Sequence, residues 1–149
     1  MTPLHDIQYL VIHHSLTADG KTFSWDAIRR FHKAPPPAGR GWSEIAYHVG
    51  LELIENDYEI LVGRAWNLQG AHAPGRNHDS LGICLIGNFD EAPPPPNQWA
   101  QAVTLVKWMS ALFKVPPDNV RGHREVTDHR TCPGKFFDLR AFRLALQDG

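Results

Sequence analysis

The 149-residue chain has no excess charge of either sign: 15 lysines and arginines stand against 16 aspartates and glutamates, a formal net charge of -1 with a pI near 6.7. That balance excludes an electrostatic grip on nucleic acid or anionic lipid as the main activity, since neither polyanion finds a basic face. Long apolar runs are missing as well. None approaches the roughly 18 residues a membrane span requires, so no span is expected. Cysteine is scarce, with Cys84 and Cys132 alone, which argues against the bridged framework of a small secreted domain and leaves each as a free thiol or a ligand. The opening residues, Met-Thr-Pro-Leu-His-Asp, carry no basic segment followed by an apolar stretch, so synthesis in the cytoplasm without a signal peptide is expected. No internal repeat is visible. What the chain does have is nine histidines, a count that points to metal or acid/base chemistry.

The length suits one domain, residues 1–149, with a real core. Ile7 to His13 is a near-continuous apolar, β-branched run, the pattern of a buried central strand. Ser24 is placed to cap a helix through about Lys33, which Pro35-Pro36-Pro37 stops. Tyr47 to Ile54 and Tyr58 to Val62 pair as a hairpin around Glu55-Asn56-Asp57, where Asn and Asp tolerate a left-handed backbone. Residues 63 to 80 look irregular. Leu81 to Gly87 is a second buried strand, and Asn97 is placed to cap a long helix to about Phe113. Its stripe of Trp99, Ala102, Val103, Val106, Met109 and Phe113 is widened by Leu105, Trp108 and Leu112. Val120 to His123 fits a short strand, and Asp138 caps a last amphipathic helix. This order predicts a mixed α/β fold, with one central mixed sheet flanked by helices.

Three chemistry-bearing residues fall where elements end: His13 at the end of the first strand, His123 after the short strand near Val120, and Cys132 in the loop beyond. Imidazole and thiolate are borderline-soft donors that suit zinc. A strand-end histidine is otherwise an ordinary structural residue, so the surrounding strings decide its weight. Those strings are Val11-Ile12-His13-His14-Ser15, Gly41-Trp42-Ser43-Glu44-Ile45-Ala46-Tyr47-His48, Gly70-Ala71-His72, Asn77-His78-Asp79-Ser80-Leu81-Gly82-Ile83, Gly87-Asn88-Phe89, and Gly122-His123-Arg124-Glu125-Val126 followed by Cys132-Pro133-Gly134. In this order, over residues 7 to about 140, they resemble the type 2 N-acetylmuramoyl-L-alanine amidases, a family that includes phage lysozyme-type amidases and peptidoglycan recognition proteins.

The resemblance implies an amidase/peptidoglycan recognition protein-like fold and a zinc hydrolase, acting on peptidoglycan or muropeptide, that cuts the amide between N-acetylmuramic acid and L-alanine. It assigns His13, His123 and Cys132 as ligands of one zinc ion per chain. It places Tyr47 beside the metal as a catalytic hydrogen-bonding group. Arg130 stands where competent relatives often carry lysine; a guanidinium can donate two hydrogen bonds to an oxyanion but does not give up its proton. His72, Asn77 and Trp42 are implied to border the substrate groove, Trp42 as a flat face for stacking. Cys84 replaces the glutamate of cytosolic recycling amidases and reads as a small core residue. Glu44 is a solvated loop carboxylate. His14 and His48 are expected on the strand face opposite the site, and His5, His32, His78 and His129 at the surface or as caps, with His129 a rival ligand to Cys132. The expected protein is a monomeric phage or prophage endolysin, reaching the wall through a pore or lysis. A non-catalytic muropeptide-binding module and a cytosolic recycling amidase are the alternatives.

Overall fold

Period-two alternation along the central strands separates a packing face from a chemical face. The computed structural model describes residues 1–4, 6–17 and 24–148; His5 lies outside them. In chain order the elements are β1 (Tyr9–His14), α1 (Ser24–Lys33), β2 (Val49–Ile54), β3 (Asp57–Val62), β4 (Ser80–Leu85), α2 (Pro96–Phe113), a single 3-10 turn (Pro117–Asn119), β5 (Val120–Gly122), α3 (His123–Val126) and α4 (Leu139–Gln147). The five strands form one sheet in the order β3-β2-β4-β1-β5. β1 runs parallel to β4 and β5, β2 runs parallel to β4, and only β3 is antiparallel, to β2. The expected mixed sheet with flanking helices is therefore present.

On one face Leu10, Ile12, Val49, Leu51, Leu81, Ile83 and Leu85 pack with Ala102, Leu105, Val106 and Met109 of α2 and with Leu139, Phe142 and Leu146 of α4. Full burial of each large aliphatic side chain stabilises by about 1.5–3 kcal/mol, so this face dominates the energetics. The residues between them in sequence, His13, Gly50, Glu52, Gly82 and Cys84, point the other way. There a smaller cluster of Trp25, Ile45, Cys84 and Ile86 forms, and the site is built beside it.

Helix α1 is held to this second face by a carboxylate. Glu52 is 1% exposed, and it accepts from the backbone N–H groups of both Ser24 and Trp25 at the start of the helix. Two otherwise orphaned donors are satisfied by a negative charge at the positive end of the helix. Glu52→Ala should cost about 2–4 kcal/mol in urea unfolding, because it strands two buried donors. Glu52→Gln keeps an acceptor oxygen and should lose less.

Three local expectations change. Asn97 does not cap α2: Pro95 is the N-cap residue and no side chain caps the end, because the prolines start the helix two residues earlier. The apolar stripe of α2 is narrower than its sequence suggests, with Gln98 buried while Trp108 is 56% and Leu112 53% exposed. Gln98 donates to the carbonyl of Ile86, which explains its burial. In the hairpin it is Glu55 that takes the left-handed conformation (φ 57), and Asp57 already belongs to β3. Asp138 does cap α4, accepting from the Ala141 N–H.

Candidate active site

The site lies where β1 and β5 end. β1 delivers His13, Gly122 ends β5, and His123 follows at once as the first residue of α3. Cys132 arrives on a loop that is pinned from several directions. The Arg124 backbone N–H donates to the Cys132 carbonyl at 2.8 Å, and its guanidinium donates to the carbonyls of Thr131, Gly134 and Phe137. Asp90 accepts from the Thr131 hydroxyl and the Lys135 N–H. His129 Nδ1 accepts from the Thr131 and Cys132 N–H groups. Arg124 and Asp90 were not singled out from the sequence, although Arg124 sits inside the His-Arg-Glu-Val string.

The ligating atoms of His13, His123 and Cys132 all lie within 4.8 Å of one another. Cys132 Sγ is 3.8 Å from His13 Nδ1, and the His13 and His123 ring centroids are 4.5 Å apart. On tetrahedral zinc, with bonds of about 2.1 Å to nitrogen and 2.3 Å to sulfur, those two donors would be about 3.6 Å apart. The residues therefore fit the ion, and three protein donors match the catalytic rather than the closed structural pattern. The protonation tendencies agree. Burial, then neighbouring histidines, holds His13 well below its usual range; burial, then His129, brings His123 down to about 4. Both rings are neutral and ready to donate a lone pair. Burial pushes the Cys132 thiol up to about 12, so its thiolate requires a cation alongside.

Around these three residues lies a cavity of about 260 Å³ whose wall includes Tyr47, His72, Trp42, His32, Arg40 and His129. A second cavity of about 580 Å³, lined by Pro74, Val126, Thr127 and Asp128, also reaches His123 and His129. Tyr47 packs against His13 at 5.1 Å between ring centroids. Burial, then the neighbouring Cys84 and Cys132, pushes its phenol well above the ordinary value, and its hydroxyl is hydrogen-bonded with Cys84. Cys84 is thus fully buried yet also a polar neighbour of the site. Trp42 stands 5.0 Å from the His32 ring, and the Arg40 guanidinium lies over both Phe31 and Trp42.

The other residues singled out from the sequence are placed as follows. His72 is 5% exposed, with His13 on one ring nitrogen and Ser80 on the other. Asn77 is not on the cavity wall; its side-chain oxygen accepts from the His72 and Ala73 N–H groups and shapes that segment. Arg130 is exposed on the Cys132 loop and is not on the wall either. Glu44 is paired with Arg29 at 2.7 Å rather than simply solvated. His14 packs on Phe89 and accepts from its N–H, on the expected side, while also reaching the cavity wall. His32, expected at the surface, is half-buried on the cavity wall, with Nδ1 accepting from the Ala46 N–H. Loop closure brings it and Arg40 there, which no local pattern signals.

His48 is fully buried, accepting from Gly82 N–H and facing the Leu68 carbonyl at 2.7 Å. Burial brings its pKa from 6.5 to about 4. Above pH 6.5 the ring is neutral in folded and unfolded chains alike, so the stability it supports is fully present there. As pH falls towards 4 only the unfolded chain takes up the proton, and by pH 4.5 roughly 2–3 kcal/mol is lost. Urea unfolding at pH 7 and 4.5 should therefore show a smaller acid loss for His48→Gln than for the natural chain.

A family model described as N-acetylmuramoyl-L-alanine amidase matches residues 3–135. Peptidoglycan-recognition protein LB of Drosophila melanogaster is 36% identical over 136 residues, covering 85% of this chain and 54% of that protein. The chain thus spans about half of that relative. The endolysin of Escherichia phage T7 is 31% identical, covering 88% of this chain and 82% of its own length. Among solved structures, the N-acetylmuramoyl-L-alanine amidase LysC from Clostridium intestinale superposes with a TM-score of 0.81 at 28% identity, covering 99% of this chain and 92% of that one. A point mutant of Drosophila PGRP-LB in complex with tracheal cytotoxin gives 0.73 at 29% identity, covering 92% and 84%. With the family match running from residue 3 to residue 135, through all five strands and Cys132, the chain belongs to the N-acetylmuramoyl-L-alanine amidase family.

Proposed function

We propose that the chain is an active zinc-dependent amidase that hydrolyses the bond between N-acetylmuramic acid and L-alanine in peptidoglycan. The observation that carries this reading is the convergence of His13, His123 and Cys132 with the Tyr47 phenol at one cavity. A module that only bound wall fragments would have no need of a complete donor set. Zinc held by those three residues would supply the Lewis acidity that amide hydrolysis requires.

The chain's own groups do the rest. Tyr47 remains protonated at neutral pH and serves as a hydrogen-bond donor to the oxygen on which charge develops. Among the described residues no carboxylate lines the 260 Å³ cavity, so its wall offers Tyr47, Arg40 and imidazoles. Trp42, steadied by Arg40 and His32, offers a stacking surface for the sugar. The continuation past His123 gives an extended substrate room on both sides of the reacting bond. Cys84 in place of a carboxylate favours a lytic, phage-type role over recycling of soluble fragments, and we place the action of a monomeric enzyme at the wall.

The test is metal analysis of the purified protein, followed by incubation with purified peptidoglycan and mass spectrometry for new L-alanine amino termini. One zinc per chain and new termini are expected. Zinc without cleavage would make the chain a binding module. Arg130→Ala should reduce the rate less than threefold, under about 1 kcal/mol, given its exposure; a larger loss would bring the guanidinium into the reaction.

A further inference from the structure

We propose that His72 is a positioning residue that fixes the tautomer of His13, so that the His13 Nδ1 lone pair is presented to the metal site. This rests on the metal reading above and deepens it. The direction of the hydrogen bonds follows from the far end of a chain. Ser80 Oγ lies 2.6 Å from the Arg76 carbonyl, which only accepts, so the Ser80 hydroxyl spends its hydrogen there. Its lone pair then faces His72 Nε2 at 3.3 Å, which places the hydrogen of that contact on His72. An uncharged imidazole with hydrogen on Nε2 has a bare Nδ1. His72 Nδ1 is 2.9 Å from His13 Nε2, so His13 donates there and keeps Nδ1 free. That free nitrogen is the one 3.8 Å from Cys132 Sγ. The chain ends on a carbonyl that has no proton to give, so it orients His13 and does not conduct protons.

The seat of the His72 ring is built for it. A Cβ on Gly82 would meet His72 Cγ at 2.6 Å, and one on Gly70 would meet His72 Cδ2 at 2.6 Å. Two glycines thus clear the space that lets the ring lie over Gly82 of β4, edge-on to His13 of β1 with centroids 5.0 Å apart. With both ring nitrogens engaged, His72 stands behind the ligand as its hydrogen-bond partner while its ring forms part of the cavity wall.

The test begins with the metal-free natural protein. Long-range 15N–1H correlation should show His13 with hydrogen on Nε2 and a bare Nδ1; hydrogen on Nδ1 would overturn the proposal. Zinc affinity, measured by competition with a chromophoric chelator, should weaken about 10- to 100-fold in His72→Leu, which fills the space without an acceptor. His72→Asn puts a carboxamide oxygen near the Nδ1 position and should restore affinity to within about tenfold of the natural chain. Gly82→Ala, which displaces the ring, should weaken zinc binding in the same direction as His72→Leu. Equal losses in the Leu and Asn variants, or none in Leu, would overturn the proposal while leaving the amidase reading in place. The expected tautomer without zinc uptake would support the orienting chain and overturn the zinc reading instead.

Discussion

Cys132→Ser is expected to abolish zinc retention and reduce amide cleavage by about 1000-fold or more, exceeding the 10- to 100-fold cost of losing a group behind a ligand. Serine changes one atom. Its hydroxyl stays protonated at neutral pH and is a hard oxygen donor, whereas the sulfur facing His13 Nδ1 at 3.8 Å supplies the soft anionic partner that a Zn²⁺ site of two neutral imidazoles needs. The fold of the metal-free protein should survive, because Arg124, Asp90 and His129 hold the loop through groups other than the Cys132 side chain, whose own contacts with His13 and the His14 backbone are weak ones that a hydroxyl can also make. Equal thermal midpoints of the two metal-free proteins, with zinc bound in only one, would be the signature. Unchanged turnover would move the third ligand elsewhere. His129 would be the first alternative, through its Nε2, since Nδ1 is occupied by backbone N–H groups.

Tyr47→Phe is the second large effect. Loss of one donor to a developing oxyanion costs roughly 100- to 1000-fold in kcat, about 3–4 kcal/mol. The ring and its packing against His13 and Trp25 are retained, so zinc content and KM should change little. The phenylalanine also removes the Tyr47 hydroxyl from Cys84, but the thiol keeps the Leu85 carbonyl, is a weak donor and acceptor, and when buried packs as a small hydrophobe, so the stability change should be minor. A kcat within threefold of the natural enzyme would reduce Tyr47 to part of the cavity wall. Stopped assays on soluble muropeptide separate kcat from KM more cleanly than wall lysis does.

The three residues that meet at the candidate metal site were legible because each stands at the end of a strand or in a loop within a long recognisable string, and strands declare themselves by apolar runs. Helix α4 and its Asp138 cap were legible for the same local reason. What local pattern does not encode is which parts of distant loops meet. His32 and Arg40 reach the cavity only because the chain after α1 folds back over it, with the Arg40 N–H donating to the Phe31 carbonyl and the Trp42 N–H to that of His32. The His72 string places that residue at the cavity, where its ring forms part of the wall, but its contact with His13 has no local signal, since the space it occupies is cleared by Gly70 and Gly82, twelve residues apart in sequence. The Asn97 cap failed because two strong local signals competed and the proline backbone prevailed. Trp108 lies outside the strip of α2 that packs on the sheet, and its ring rests on Trp66 instead.

The alternation along β1 and β4 also bears on how such a protein can change. Leu10, Ile12, Leu81, Ile83 and Leu85 hold the fold together, while His13, Gly82 and Cys84, one position along, carry the chemistry. Because neighbours in sequence answer to different demands, substitutions at the second set leave the first set's packing intact. A change at 84 or 82 is therefore felt on the chemical face, where Cys84 packs with Trp25, Ile45 and Ile86 and a Cβ at 82 would press on the His72 ring, while the packing under α2 is left alone. The same arrangement makes the strand intolerant of insertions, since a single added residue would trade the two roles at once.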